Sequence, residues 1–179
     1  MTHRSDVVRG RDCSGCTLCC KLLGVEEIGT PPLGWCPHCD TKKGCAIYQH
    51  RPTECRNFYC EYLLDGALGD QWKPSKCKLV VMLEEPANDL VVHVDPSRPD
   101  AWRREPFYSQ IRQWARAAAR EQRQVVVWQG DSKIVISPEG DEGSQEAKPM
   151  NPTTNVIERP RSSELPREMA GDDVLGPLA

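Results

Sequence analysis

The stretch Asp12-Cys-Ser-Gly-Cys-Thr-Leu-Cys-Cys-Lys21 places four cysteines within eight residues, in the pattern C-x2-C-x2-C-C. A C-x2-C turn brings two sulfur atoms to the same side of a tight loop. A third cysteine after two more residues wraps the loop around a larger object, and ferredoxin-type loops hold a cubane cluster with three ligands at this spacing. We therefore expect this half of the chain to fold around a metal centre bound by Cys13, Cys16, Cys19 and Cys20.

The chain has ten cysteines, and all of them lie between Cys13 and Cys77. The pair Cys13-x2-Cys16 with the later Cys36-x2-Cys39 also fits the spacing of a zinc ribbon, and four sulfurs complete a tetrahedral zinc site. Two zinc ions need eight ligands, which ten thiols and His38 can supply. Spacing alone leaves an iron–sulfur cluster and zinc both open, and we favour the cluster. The thiols not yet named are Cys45, Cys55 and Cys60.

The rest of the composition indicates where the protein works. Residues 1–12 are polar and lack the apolar core of a signal peptide. No stretch approaches the roughly 18 apolar residues that cross a membrane. We therefore expect a cytoplasmic protein without membrane association, in which thiols stay reduced and bind metal rather than form disulfides. The net charge of −3 argues against a nucleic-acid partner, so we expect an unknown protein partner.

Composition divides the chain into three segments. Residues 1–77 hold every cysteine, many turn formers and few periodic patterns, which is typical of a module whose folding energy comes from metal binding. Residues 78–137 have the pattern of a small α+β unit. Residues 138–179 are rich in Pro, Gly, Ser, Glu and Asp and almost free of aromatic residues. Such a segment buries too little apolar surface to offset its ordering entropy, so we predict a disordered acidic tail.

The middle segment contains four runs typical of strands. β-branched runs at 78–83 and 90–94 are joined by a plausible hairpin turn. Two further runs, at 124–128 and 133–136, flank Gln129-Gly-Asp-Ser132, which is a strong hairpin signal. We expect these four strands to form an antiparallel sheet.

A helix is predicted between the two hairpins. Pro106 can open it, because proline is tolerated at the first helical position. Helical spacing then places five apolar side chains on one face: Phe107, Ile111, Trp114, Ala115 and Ala118. The order β-β-α-β-β predicts a helix on one face of the sheet and an α+β fold for the whole chain.

Further residues extend the cysteine pattern. Cys36 follows Gly34-Trp35, and the chain continues with Gly44-Cys-Ala-Ile-Tyr48, Arg51-Pro52 and Cys55-Arg-Asn-Phe58. Together with C-x2-C-x2-C-C, this pattern resembles the CxxCxxCC family, small bacterial proteins described as zinc- or iron-chelating and often as containing an iron–sulfur cluster. The resemblance covers roughly residues 13–60. It implies that the metal ligands are Cys13, Cys16, Cys19, Cys20, Cys36, Cys45, Cys55 and, by extension, Cys60.

Three residues depart from the family pattern. Cys39 and His38 lie where the family has an apolar residue, and Cys77 lies beyond the pattern. We keep Cys39 as a ninth candidate ligand and leave His38 and Cys77 open. No catalytic residue is predicted, because the sequence has no phosphate-binding glycine loop, Ser/His/Asp order or paired-carboxylate motif.

Two arginines each allow two interpretations, and one histidine has an expected position. Arg51 and Arg56 flank Cys55 and could donate to a cluster, or could simply pack on Tyr48 or Phe58. His93 alternates with two valines along its strand, and we expect it to face solvent.

The leading functional hypothesis is a cytoplasmic protein that holds an iron–sulfur cluster for electron transfer, redox sensing or metal handling. The first alternative is a zinc-stabilised protein-interaction module without redox activity. The second is a cluster-dependent modifying enzyme such as a protein methyltransferase, because some relatives in the family are linked to protein methylation.

Overall fold

A computed structural model describes residues 7–139 and 141–146. The cysteine-rich half consists of short elements separated by turns. Its helices are α1 (Cys19–Leu22), α2 (Thr53–Asn57), α3 (Glu61–Leu64) and α4 (Pro74–Cys77), and its strands are β1 (Cys39–Asp40) and β2 (Gly44–Cys45). Single 3-10 turns lie at Glu26–Ile28, Tyr48–His50 and Asp70–Trp72.

The second half of the described chain is a sheet with one long helix. The strands are β3 (Leu79–Glu84), β4 (Asp89–Val94), β5 (Val125–Gln129), β6 (Ser132–Ile136) and β7 (Asp141–Glu146), which lie side by side in that order. A 3-10 turn at Ala101–Arg103 precedes helix α5 (Phe107–Arg120). The predicted α+β class and the order β-β-α-β-β are therefore confirmed.

The predicted antiparallel arrangement is wrong at the centre of the sheet. Strands β4 and β5 pair in parallel, with Val92 opposite Val127, whereas β3–β4 and β5–β6 are antiparallel. The physical reason is the connection. Residues 95–124 lead from the end of β4 through α5 back to the edge of the sheet where β4 begins, so that β5 runs in the same direction. A crossover of this length can join parallel strands. The sheet is therefore mixed.

Strand β7 lies within the first residues of the predicted tail. Residues 141–146 pair antiparallel with β6, with a register shift between Lys133 and Val135. Pairing with an open sheet edge needs backbone hydrogen bonds rather than buried side chains, so a polar segment can form such a strand. The rest of the predicted tail, residue 140 and residues 147–179, lies outside the described residues.

The predicted hairpin and helix are formed as expected. Gly130 stands at the first turn position between β5 and β6 with φ 60°, a backbone conformation that glycine adopts without strain. Helix α5 begins directly after Pro106 and buries Ile111, Ala115 and Ala118 against the sheet. The five-residue apolar face of α5 is therefore confirmed as the helix surface that meets the core.

The hydrophobic core continues from one half of the chain into the other. Leu22, Leu63 and Trp72 from the cysteine-rich half belong to the same buried cluster as Leu79 and Ile111 from the sheet half. The Trp72 ring lies 4.9 Å from the rings of both Phe107 and Trp114 on α5. The cysteine-rich half thus has apolar packing of its own in addition to its thiols, and the proposed domain boundary at residue 77 stays a prediction. Among the described residues, no helix is long and apolar enough to cross a membrane.

Candidate metal centre

The first C-x2-C segment is a tight turn closed by two hydrogen bonds that backbone N–H groups donate. The Ser14 N–H donates to Asp12 Oδ1 at 2.8 Å, and the Cys16 N–H donates to the Cys13 carbonyl at 3.0 Å. Gly15 has a φ of 64°, in the left-handed region that favours glycine. The turn therefore sets Cys13 and Cys16 side by side, as the sequence predicted.

Helix α1 positions the next two cysteines. Leu18 and Leu22 are one helical turn apart and both are buried in the core. The Leu22 N–H donates to the Leu18 carbonyl at 3.0 Å, which fixes this turn. Cys19 and Cys20 lie between these two leucines and are half-buried. Apolar burial of the helix thus determines where the two adjacent thiols lie.

Arg11 attaches the first cysteine turn to the segment that carries Cys60. Its guanidinium donates to the carbonyls of Tyr62 and Leu68, and to the Asp65 carbonyl at 2.8 Å. The guanidinium carbon also lies 4.5 Å from the centre of the Tyr62 ring. Because Cys60 immediately precedes α3, this clamp holds Cys13 and Cys60 in the same region.

The second C-x2-C segment has the same backbone closure as the first. The Cys39 N–H donates to the Cys36 carbonyl at 3.0 Å, and the Cys36 N–H donates to the Cys20 carbonyl at 2.9 Å. Cys39 then pairs with Cys45 across the small β1–β2 hairpin. The hairpin turn is closed by Asp40, whose Oδ1 accepts the backbone N–H groups of Lys42 and Lys43. These contacts attach the second cysteine group to α1.

Two glutamates hold the helix that carries Cys55. The Glu54 carboxylate accepts the backbone N–H groups of Glu26 and Glu27 at 3.0 and 3.3 Å. In return, Glu27 Oε2 accepts the Thr53 N–H at 2.7 Å. Each carboxylate satisfies free N–H groups at the start of the other short helix, as a capping residue does. Cys55 on α2 is thereby fixed relative to the loop that follows α1.

A cavity of about 370 Å³ brings these pieces together, and it is lined by every cysteine except Cys39 and Cys77. These eight residues are the eight whose ligand role the family resemblance implies. The structure therefore brings eight of the nine predicted ligands to one cavity and places the ninth, Cys39, outside it. Cys77 is buried, and its sulfur lies 3.4 Å from the Trp72 carbonyl and 3.3 Å from the Leu79 carbonyl, which indicates a packing role.

The cysteine side chains are not oriented toward a common metal position in this structure. In residues 7–139 and 141–146, no three His, Cys, Asp or Glu side chains are grouped closely enough to hold a metal ion. The backbone brings the thiols to one cavity, and cysteine has three staggered rotamers about its Cα–Cβ bond. Coordination at this cavity therefore requires the thiols to change rotamer and converge.

The thiols interact strongly with one another. The Cys19 thiol donates to Cys20, and this hydrogen bond is the main cause of a Cys19 pKa well above the ordinary value. The same bond is the main cause of a Cys20 pKa of about 6, which burial opposes and a second hydrogen bond from Cys39 supports. Burial raises the pKa of Cys55 to about 11, and that of Cys60 to about 12. Of these four thiols, Cys20 is thus the one that ionises most easily.

Arg51 is a cation shared by several of these thiols. Its charge lowers the pKa of Cys13, Cys20 and Cys55, although burial keeps Cys13 and Cys55 above their ordinary value. The guanidinium stacks on the Tyr48 ring at 4.0 Å, and its Nε donates to the Tyr48 carbonyl at 3.2 Å. The packing of Arg51 on Tyr48 is therefore confirmed, and its charge also acts on three cysteines, whereas donation to a cluster stays a prediction. Arg56 is exposed and donates to Thr53 Oγ1 at 3.0 Å.

His93 is a cavity residue that the sequence analysis placed wrongly. It was expected to face solvent, but it is half-buried and lines the same cavity as the cysteines, and burial lowers its pKa to about 4. It pairs with Val80, which is fully buried. The sequence did contain a signal that His93 would be buried. Strands β3 and β4 are apolar at nearly every position, which is typical of strands buried on both faces. His38 also lines the cavity and is half-buried.

Comparison of the chain with models of protein families, with curated proteins and with solved structures gives no match in any of the three. The resemblance to the CxxCxxCC family therefore rests on the motif residues alone.

Proposed function

We propose that this protein binds metal through the cysteine thiolates that line its cavity, and that the metal is an iron–sulfur cluster. The observation that carries the proposal is the grouping of eight cysteines around one space, while Cys39 and Cys77 remain outside it. Thiolates are the ligands that iron–sulfur clusters and zinc share. When bound, a cluster would supply one-electron chemistry for electron transfer or redox sensing, or would itself be the cargo in metal handling.

Two features favour a cluster over one isolated ion. A cavity of about 370 Å³ is much larger than a single ion, which occupies little more than its ligand shell. Arg51 also places a positive charge beside Cys13, Cys20 and Cys55. A thiolate-bound cluster carries net negative charge, and a nearby cation together with donated hydrogen bonds tunes its potential.

The surrounding fold holds the segments that carry the cavity cysteines in place, so their position does not depend on a bound metal alone. Arg11 holds the first cysteine turn on α3, and the carboxylates of Glu27 and Glu54 hold α2. Leu18 and Leu22 bury α1 in the core. A cavity supported in this way is partly preorganised, so that metal binding needs little backbone rearrangement.

A zinc-stabilised interaction module is the second candidate, and one observation favours it. The turn Cys36–Cys39 leads directly into a two-stranded hairpin in which Cys39 and Cys45 are paired. A C-x2-C turn beside a short hairpin is a common arrangement in small zinc sites. Under this alternative, the metal stabilises the fold and has no redox activity.

Metal analysis of the full chain distinguishes the candidates. The protein should be purified without oxygen and without added metal, and its iron, zinc and acid-labile sulfide measured together with its absorption spectrum. Iron with sulfide and a broad band at about 400 nm supports the cluster. Zinc without colour supports the interaction module, and absence of both metals, before and after reconstitution, rejects metal binding.

A further inference from the structure

We infer that the eight cavity cysteines form two separate four-sulfur centres. This inference rests on the proposed function and concerns how the ligands are divided. The first centre consists of Cys13, Cys16, Cys19 and Cys60. The second consists of Cys20, Cys36, Cys45 and Cys55. Four thiolates are a complete set for either a zinc ion or a cubane cluster.

The first centre is assembled by the Arg11 clamp. The clamp ties the turn of Cys13 and Cys16 to the backbone of α3, whose first residue follows Cys60. The electrostatic partners of the Cys60 thiol are Cys13 and Cys16, and these two also interact with Cys19. Cys60 is buried, so this centre lies on the inner side of the cavity, next to the core.

The second centre is assembled on the other side of α1. The hydrogen bond from the Cys36 N–H to the Cys20 carbonyl joins the second C-x2-C turn to α1, and the hairpin brings Cys45 to the same group. The carboxylates of Glu27 and Glu54 fix α2, which carries Cys55, to the loop that follows α1. After burial, the thiols of Cys20, Cys36 and Cys45 are the main causes of the raised Cys55 pKa, and they are the other three members of this set.

The two sets of ligands meet at Cys19 and Cys20, which are adjacent residues of α1. Consecutive residues of an α-helix point about 100° apart around its axis, so that Cys19 and Cys20 can serve different centres. In the part of the chain that the structure describes, the thiol interactions identified between the two sets all involve Cys20, which meets Cys19 and, more weakly, Cys13. The adjacent residues Cys19 and Cys20 thus supply one ligand to each centre.

Cys39 is left outside both sets. It lies opposite Cys45 on the hairpin, its thiol donates to Cys20, and the same three thiols act on it as on Cys55. Cys55 lines the cavity and Cys39 does not, and this difference places Cys55 rather than Cys39 in the second set. When the second centre forms, Cys20 becomes a metal ligand and Cys39 remains a free thiol at the outer edge of that centre. Cys77 is also free but is buried.

Zinc loading of the full chain tests the division, with Zn²⁺ alone as the probe. The chain is stripped with a chelator without oxygen, loaded with Zn²⁺, freed of excess metal and weighed by native mass spectrometry. We expect two zinc ions for the wild type and one each for Cys16→Ser and Cys45→Ser. The double variant should hold none, and the matched control Cys77→Ser should hold two. Circular dichroism establishes that each variant is folded.

Thiol counting gives a second readout that needs no variant. In the zinc-loaded wild type, we expect one thiol, Cys39, to react rapidly with a disulfide reagent, because eight are coordinated and Cys77 is buried. One zinc per wild-type chain, or rapid reaction of four or more thiols after loading, would overturn the division. Folded single variants that each lose both ions would also overturn it. A wild type that binds neither zinc nor iron rejects the proposed function itself.

Discussion

Lys21 Nζ lies 2.7 Å from Asp95 Oδ1, and this ion pair joins the helix that carries Cys19 and Cys20 to the end of strand β4. Asp95 is 5% exposed and also accepts the Ser97 N–H at 3.0 Å. The Lys21 ammonium in turn lies 5.7 Å from the centre of the Trp35 ring. The orientation of the doubled cysteine therefore depends on a contact with the sheet that is distant in sequence.

Asp95→Asn should destabilise the fold by about 2 kcal/mol, because it removes a hydrogen bond between charged groups and leaves Lys21 without its counter-charge. The measurement is urea unfolding followed by tryptophan fluorescence. The matched control is Asp70→Asn, which breaks an exposed pair with Lys76 and should change stability much less. Equal effects of the two variants would show that burial of the Lys21–Asp95 pair adds nothing.

The same ion pair predicts a dependence on pH. Burial acts to raise the Asp95 pKa, but the hydrogen bonds from Lys21 and Ser97 outweigh it, so that the folded-state pKa lies below the ordinary 3.8. A carboxyl group with a lowered pKa stabilises the fold above its unfolded-state pKa and loses this contribution as pH falls through the folded value. The stability difference between wild type and Asp95→Asn should therefore be constant from pH 6 to 8 and shrink below about pH 4.

Arg11→Lys should loosen the first cysteine turn while leaving the charge in place. A lysine ammonium cannot donate to three separate carbonyls in the fixed geometry of a guanidinium. We expect a lower unfolding temperature and weaker binding of zinc to the first centre, with the second centre retained. Zinc titration of the full chain measures both affinities. Arg9→Lys is the matched control, since Arg9 is exposed, and it should leave both affinities unchanged.

Trp72→Ala should destabilise the whole chain by about 4 kcal/mol, because Trp72 is 4% exposed and packs against two aromatic rings of α5. If the core is continuous, the cysteine-rich half and the sheet unfold in one transition in both proteins. Differential scanning calorimetry on the metal-free chain measures this. The control is Trp35→Ala, since Trp35 is 48% exposed. Two separate transitions in the wild type would contradict the continuous core and support a boundary near residue 77.

Truncation tests the fifth strand. Removing residues 138–179 deletes β7 and exposes the hydrogen-bonding edge of β6, whereas removing residues 147–179 keeps β7. We expect the longer deletion to lower the unfolding temperature relative to the shorter one, because β6 loses its ladder partner. Metal content should be the same in both, since every cysteine of the chain lies before residue 78. Identical unfolding temperatures would show that β7 contributes no stability.

Local sequence signals predicted the elements but not their long-range arrangement. Gly130 and Pro106 determine a turn and a helix start through their own backbone preferences, and both predictions were confirmed. The parallel pairing of β4 with β5 depends on the path of the intervening chain, which no local pattern encodes. The core position of Trp72 also depends on contacts distant in sequence. The solvent-facing position predicted for His93 was wrong, because alternation along a strand shows which residues share a face of the sheet but not whether that face is buried by other parts of the protein.

The cysteine pattern predicted the site better than the surrounding fold could be predicted. Eight of the nine candidate ligands line one cavity because consecutive tight turns keep them near each other, a property of spacing. The position of Cys39 outside the cavity follows from the β1–β2 hairpin, whose register the sequence does not reveal. The clamp formed by Arg11 was not predicted at all, since nothing local distinguishes it from Arg9.

Arg51 provides the last prediction, which applies to the proposed cluster-bound form of the chain. The guanidinium lowers the pKa of three thiols, which shows that its charge is felt across the cavity. A nearby cation stabilises the reduced, more negative state of a cluster, so that Arg51→Gln should shift the reduction potential to more negative values. Arg51→Lys keeps the charge and should restore most of the potential, which separates a charge effect from lost packing on Tyr48. Arg56→Gln is the control, because Arg56 is exposed and pairs with Thr53. The potentials are measured by protein-film voltammetry. Equal potentials for wild type and Arg51→Gln would show that Arg51 has only a packing role.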